Sequence, residues 1–191
     1  MSGIKNKLRL YERSGDISPS PEVVVSPPPD PQPETGDLLR FGEAAFQKKA
    51  TGVYVRRVDI QNPAMGARSL AEYLPFRLSG ILELALWPRP EALHPEDVLF
   101  LDTETTGLSR GAGNIPFLTG LAYFRQNRLV IEQLYLDDPG GEEAYLDYLK
   151  ETFGDFRYLV SYNGRAFDVP LIKNRLSLIR RRVLPDLIHF D

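Results

Sequence analysis

Beyond Val98 the chain presents three short apolar or alternating runs in succession: Val98 to Asp102, Phe117 to Phe124 and Arg128 to Leu136. Turn-forming residues separate them, and no helical period intervenes. In the third run Val130, Glu132 and Leu134 share one face of a strand. Three consecutive strands predict an antiparallel meander. Glu142 to Phe153 then carries Leu146, Leu149 and Phe153 at helical spacing, with Glu142 and Glu143 in the first turn, where the helix dipole favours anions. Tyr158 to Ser161 reads as a buried strand. After Asn163 and Gly164 a second helix is predicted, with Ile172, Leu176, Ile179 and Val183 on one face. A β-β-β-α-β-α order implies an α/β architecture in which a mixed sheet is flanked by helices.

The chain before this point is organised differently. Ser18 to Thr35 holds seven of the 16 prolines and little that could bury, so residues 1–36 are expected to be a disordered linker. Residues 37–95 contain a candidate strand, Val53 to Ile60, and an apolar stretch, Leu70 to Trp87, interrupted by Pro75 and Gly80. No chemistry is visible there. Pro88, Pro90 and Pro95 mark a connection, and the domain boundary is expected near Pro95, leaving residues 96–191 as the second folded region.

At 42% hydrophobic and 26% charged residues the composition is that of an ordinary globular chain, and no apolar run approaches the roughly 20 residues that span a bilayer. No signal peptide is visible at the start, so a cytoplasmic location is expected. The absence of cysteine removes thiolate sites and leaves carboxylates and two histidines for metal chemistry, which favours a hard cation. A net charge of -3 gives no global attraction to nucleic acid, so such a substrate needs a local basic surface. One candidate runs from Arg165 to Arg182, where Arg165, Lys173, Arg175, Arg180, Arg181 and Arg182 face a single acid, Asp168. Arg180 to Arg182 equally suit a helix C-terminus, which leaves Arg165 and Lys173 as the better phosphate-binding candidates.

The strongest chemical signal is Leu99-Phe-Leu-Asp-Thr-Glu-Thr-Thr-Gly107, an apolar strand ending in Asp102 and Glu104. Alternation puts both carboxylates on one face. They repel by about 1 kcal/mol at 4 Å in water, and by roughly 4 kcal/mol at an effective dielectric of 20. A divalent cation reverses that sign, and oxygen ligands point to magnesium or manganese. Alone, such a pair more often marks the exposed end of a strand. A second stretch raises its significance: Ser161-Tyr-Asn-Gly-Arg-Ala-Phe-Asp-Val-Pro170 turns from strand into helix, with Asp168 at the helix entrance and Pro170 in a first-turn position. Taken singly, Asp168 reads as an N-cap. The loop Ser109 to Asn114, with Gly111 and Gly113, reads as a hairpin turn.

Together, DTETTG and NGRAFDVP resemble the first and second motifs of DEDD 3′-to-5′ exonucleases, a group that includes DnaQ-like proteins and family-B polymerase proofreading domains. The resemblance is greatest to YprB-type ribonuclease-H-like proteins of bacteria, and it covers Asp97 to Asp191. It implies a ribonuclease-H-like fold and metal-dependent hydrolysis of phosphodiester bonds, acting on a single-stranded end of DNA or RNA. Carried over by position, Asp102, Glu104 and Asp168 become catalytic ligands of two Mg²⁺ or Mn²⁺ ions. The resemblance also sets Thr105, Thr106, Gly107 and Leu108, with Asn163, Arg165 and Phe167, near the terminal nucleotide. In that mechanism the ions activate water and stabilise the leaving oxygen.

The family's last motif, a His or Tyr followed four residues later by Asp, is not found. His189 and Asp191 are two apart and come too soon after the helix; they read as the start of another strand, with Asp191 capping the next element. The C-terminal part of the domain is therefore expected to be missing, and this polypeptide to be weakly active or inactive. Two other readings compete. Asp102, Glu104 and Thr106, with Asp137 and Asp138, approximate an aspartyl-nucleophile phosphatase, which requires a parallel doubly wound sheet. A nucleic-acid-binding or scaffold module with the same fold and no turnover is the non-enzymatic alternative.

Overall fold

The computed structural model describes residues 38–41, 44–66, 68–84, 93–107, 113–180 and 183–191. The expected linker, Leu108, most of the 109–114 loop, Trp87, and Arg181 and Arg182 lie outside the described residues.

Among the described residues, ten strands and three α-helices follow in chain order. They are β1 (Leu38–Phe41), β2 (Ala44–Ala50), β3 (Val53–Gln61), β4 (Ala64–Met65), β5 (Arg68–Ser69), α1 (Leu70–Leu84), β6 (Val98–Thr105), β7 (Pro116–Arg125), β8 (Arg128–Leu136), α2 (Glu142–Gly154), β9 (Tyr158–Val160), α3 (Asp168–Leu178) and β10 (Ile188–Phe190). Eight strands form one mixed sheet in the order β1-β2-β3-β8-β7-β6-β9-β10, and β4 and β5 form a separate ribbon. The antiparallel meander β6-β7-β8 is the expected one. Strands β9 and β10 join it in parallel on the far side of β6. This mixed sheet has the ribonuclease-H-like architecture and disagrees with the parallel doubly wound sheet that the phosphatase reading requires.

Alternation along β6 divides its residues between two cores. Leu99 and Leu101 pack with Leu121 and Tyr123 of the sheet, Leu146, Leu149 and Phe153 of α2, and Ile172 and Leu176 of α3. Val98 points the other way, toward Leu78 and Leu82 of α1, Tyr158 and Phe190. Helices therefore cover both faces, because both faces of the central strands carry apolar side chains. Burying a side chain of the Leu or Phe class contributes about 1.5–3 kcal/mol, so the α2–α3 side dominates the stability of the domain.

Four expectations change. The boundary near Pro95 is crossed by the sheet, because β3 pairs with β8 along its whole length, from Val53↔Leu136 to Gln61↔Arg128. Strands from residues 38–61 thus extend the sheet to which residues 96–191 contribute the rest. The interruption at Pro75 and Gly80 does not occur: α1 runs through both, held by the burial of Leu78 and Leu82 one turn apart. Val183 is not on the face of the second helix. That helix ends at Leu178, Arg180 takes a left-handed φ of 56°, and Val183 is 73% exposed while Leu184 fills the core slot. The chain must turn back there to lay β10 beside β9. Asp168 is the first helical residue, and the N-cap position belongs to Phe167.

Candidate functional site

Strands β6 and β9 run parallel, with Val98 opposite Tyr158 and Phe100 opposite Val160. Both therefore deliver their C-terminal ends to the same edge, where open α/β sheets place ligands. Asp102 lies opposite Gly120 and Glu104 opposite Leu118, followed by a register irregularity before Thr105. The side chain of Asp102 is exposed and Glu104 is half-buried. From the end of β9 the turn through Asn163, left-handed at φ 60°, leads into α3 and brings Asp168 against β6.

Asp168 is 6% exposed, and one carboxylate oxygen accepts a short hydrogen bond from the Thr103 hydroxyl. Its position at the start of α3 places the charge at the positive end of the helix dipole. Gly164 packs directly against it: a Cβ there would lie 2.4 Å from Ser161 Oγ and 3.0 Å from Asp168 Oδ2. Only glycine fits. The carboxyl of Asp102 is pushed above the usual carboxylate range, first by partial desolvation at the strand end and then by the charges of Asp168 and Glu104; its bond from the Thr103 amide pulls the other way. The two acids of the strand and the acid of the helix thus repel one another, and a shared cation would relieve that repulsion.

The donor chemistry suits a hard divalent cation, since every candidate ligand is a carboxylate oxygen. The geometry is less complete. Among the described residues no three acidic or histidine side chains stand close enough together to hold an ion. Thr103, on the opposite face of the strand from Asp102 and Glu104, draws Asp168 toward itself.

The other sequence-derived candidates divide into two groups. Thr105, Thr106 and Gly107 shape the end of β6. The Thr105 hydroxyl donates to Gly107 O at 2.7 Å, and Thr106 pairs with Ile115 through two contacts of 3.1 Å. A Cβ on Gly107 would lie 2.6 Å from Oδ1 of Asn114, which is itself buried with its Nδ2 unpartnered. Asn163, Arg165 and Lys173 are exposed, and Phe167 is half-buried. Arg165 and Lys173 border a cavity of about 230 Å³ between α3 and the return to β10, with His189 and Asp186 on its rim. Lys173 stands 3.8 Å from Asp186, and both side chains are well exposed, which makes a weak pair. Arg175 is committed elsewhere, in a two-point ion pair with Glu142 of α2. That pair reduces the basic surface the sequence suggested.

Several contributors escaped the sequence reading. Thr103 was hidden because alternation sets it opposite the acids. Tyr162 is 93% exposed and lines an apolar groove together with Asp102, Phe100 and Val160. Its place immediately before the Asn163–Gly164 turn was the available signal. Asp191 turns back on the chain. It accepts from Gly164 N and Ser161 Oγ, both at 2.7 Å.

The sequence profile of the RNase_H superfamily matches residues 99–191, the stretch that carries these acids. The Bacillus subtilis (strain 168) protein YprB, described as uncharacterized, is 48% identical over 98 residues, which are 50% of this chain and 23% of that protein. No helix among the described residues is long and apolar enough to cross a membrane.

Proposed function

We propose, from the match of residues 99–191 to the RNase_H superfamily and their similarity to part of YprB, that this chain is a metal-dependent 3′-to-5′ exonuclease acting on single-stranded ends of DNA or RNA. The observation that carries the reading is the placement of Asp102 and Glu104 at the end of β6 beside Asp168 at the start of α3. After desolvation, the charges that act on Asp102 are those of the other two carboxylates. Such a set suits a cation better than its members suit one another.

Asp102, Glu104 and Asp168 would hold Mg²⁺ or Mn²⁺. The ions supply activation of a water for in-line attack on phosphorus and charge stabilisation at the leaving oxygen. The chain's own residues orient the strand being cut. Arg165 and Lys173 lie beside the start of α3, where they can meet backbone phosphates. Tyr162 offers an exposed ring beside Asp102 on which a terminal base can stack. The Thr105 bond to Gly107 O and the Thr106 bond from Ile115 N fix the end of β6 at the same edge.

The second reading, a nucleic-acid-binding module without turnover, is favoured by one observation: Asp168 is bonded to Thr103 rather than gathered with the other two acids. One assay separates the two. Single-stranded DNA and RNA labelled at either end are incubated with the full chain in Mg²⁺, Mn²⁺ or EDTA, beside Asp102→Ala. The exonuclease reading expects mononucleotides released from 3′-labelled strands, abolished by EDTA and by Asp102→Ala. Retention of the strand with no cleavage in either metal refutes it in favour of the binding module.

A further inference from the structure

We infer that Ser161, His189 and Asp191 form a clasp that positions Asp168 by fixing the Asn163–Gly164 turn, an inference that rests on the nuclease reading of the acids. In the parallel pair β9–β10, His189 lies opposite Leu159 and Phe190 opposite Val160. The residues just beyond these strands, Ser161 and Asp191, therefore stand side by side, and the Ser161 amide extends the ladder by donating to Phe190 O at 3.1 Å. Asp191 Oδ1 accepts from both the Ser161 hydroxyl and the Gly164 amide, each at 2.7 Å. A serine hydroxyl has one proton to give. With that proton on Asp191, Ser161 Oγ accepts from His189 Nε2 at 2.7 Å, which assigns the imidazole proton to Nε2. The Arg165 guanidinium closes the arrangement by donating to His189 O.

Every one of these side-chain contacts joins the stretch 161–165 to the stretch 189–191. Inside the first stretch the constraint passes on. The Val169 amide donates to Gly164 O at 2.9 Å, and the Ala166 amide to Asn163 O at 3.3 Å, so the turn and the first residues of α3 move together. Gly164 abuts both Ser161 and Asp168 Oδ2. Asp191 thus acts on Asp168 through one intervening residue, while Thr103 holds the other carboxylate oxygen. Asp191 is a solvent-facing residue that buries little. Its contribution is geometric, and partners of this kind behind a ligand typically change metal affinity about 10–100-fold.

The test measures Mn²⁺ binding to the full chain by the electron paramagnetic resonance of free Mn²⁺, together with exchange of the Gly164 amide. The variants are Asp191→Ala, Asp191→Asn, Ser161→Ala and Asp102→Asn. The clasp expects Asp191→Ala to weaken Mn²⁺ binding about 10–100-fold and to speed exchange at Gly164. Asp191→Asn, whose amide oxygen still accepts both bonds, recovers most of the affinity. Ser161→Ala gives a smaller loss in the same direction and reads out the clasp even where Asp191→Ala folds poorly. Wild-type affinity in Asp191→Ala, beside a clear loss in Asp102→Asn, overturns the clasp and leaves the metal site standing. Absence of any Asp102-dependent Mn²⁺ binding in the wild-type chain overturns the nuclease reading and the clasp with it.

Discussion

Replacing Gly164 by alanine places one methyl group at the tightest point of the site. The new carbon would stand 2.4 Å from Ser161 Oγ, 2.6 Å from Ser161 Cβ and 3.0 Å from Asp168 Oδ2. Ordinary carbon contacts lie at about 3.5–4.0 Å, so Ser161 must retreat by roughly 1 Å. That movement breaks or stretches its 2.7 Å bonds to Asp191 and His189. Overpacking of this kind costs about 1–3 kcal/mol, and a lost hydrogen bond about 0.5–1.5 kcal/mol, giving a destabilisation of about 2–4 kcal/mol. For a chain of this size each kcal/mol moves Tm by about 2–4 °C, so the expected fall is roughly 4–16 °C. Thermal unfolding followed by circular dichroism measures it. Gly154→Ala is the control, because a Cβ there meets nothing within 4 Å. A Gly164→Ala protein that melts within about 1 °C of wild type would refute the packing argument, since the added methyl would then have been accommodated without cost.

Arg175→Ala is expected to lower stability by about 3–5 kcal/mol in urea unfolding, because it strands the carboxylate of Glu142; both side chains of the pair are only 11–12% exposed. An equal loss in a variant carrying neither charge would show that packing, and not the pair, was removed. Asp102→Asn is expected to raise Tm of the metal-free protein at pH 7. The sign comes from its elevated carboxyl: the folded state binds that proton more tightly than the unfolded chain, so the ionised group opposes folding at neutral pH. The gain should shrink as pH falls through the folded carboxyl's range, and a gain that persists in acid would contradict it. Tyr162→Ala is expected to weaken binding of single-stranded oligonucleotide in EDTA by about 5–150-fold, the equivalent of about 1–3 kcal/mol for a stacked base, while Tyr162→Phe retains it. Fluorescence anisotropy reads this directly, and equal affinity in Tyr162→Ala would remove the ring from the site.

The elements that residues 96–191 contribute were legible where period and burial agree. Arg128–Leu136 alternates, with Val130, Leu134 and Leu136 turned to the α2–α3 core, and Glu142–Gly154 places Leu146, Leu149 and Phe153 on one stripe. The pairing of β3 with β8, from Val53↔Leu136 to Gln61↔Arg128, was not legible, because so distant a partner leaves no mark on a strand's own alternation. The helix through Pro75 was hidden for the opposite reason: a local breaker was outweighed by burial that only the folded sheet supplies. Within the candidate site, Asp102, Glu104 and Asp168 were singled out by the resemblance of their two motifs to a known family, since taken singly they read as a strand end and a helix cap. Thr103 and Asp191 were not, since one is placed by strand alternation against an acid 65 residues on and the other by β9–β10 pairing against a turn 27 residues back. Side chains that act on an acid across such separations are visible only in three dimensions.

The most direct test of the central claim is cleavage of a single-stranded substrate bearing sulfur in place of one non-bridging oxygen at the 3′-terminal phosphodiester, compared in Mg²⁺ and in Mn²⁺. If Asp102, Glu104 and Asp168 hold an ion against that phosphate, sulfur in one stereoisomer suppresses cleavage in Mg²⁺, and the more thiophilic Mn²⁺ restores it. Asp102→Ala abolishes both. Cleavage that is indifferent to the choice of metal for every sulfur position, or that survives EDTA, would contradict the account.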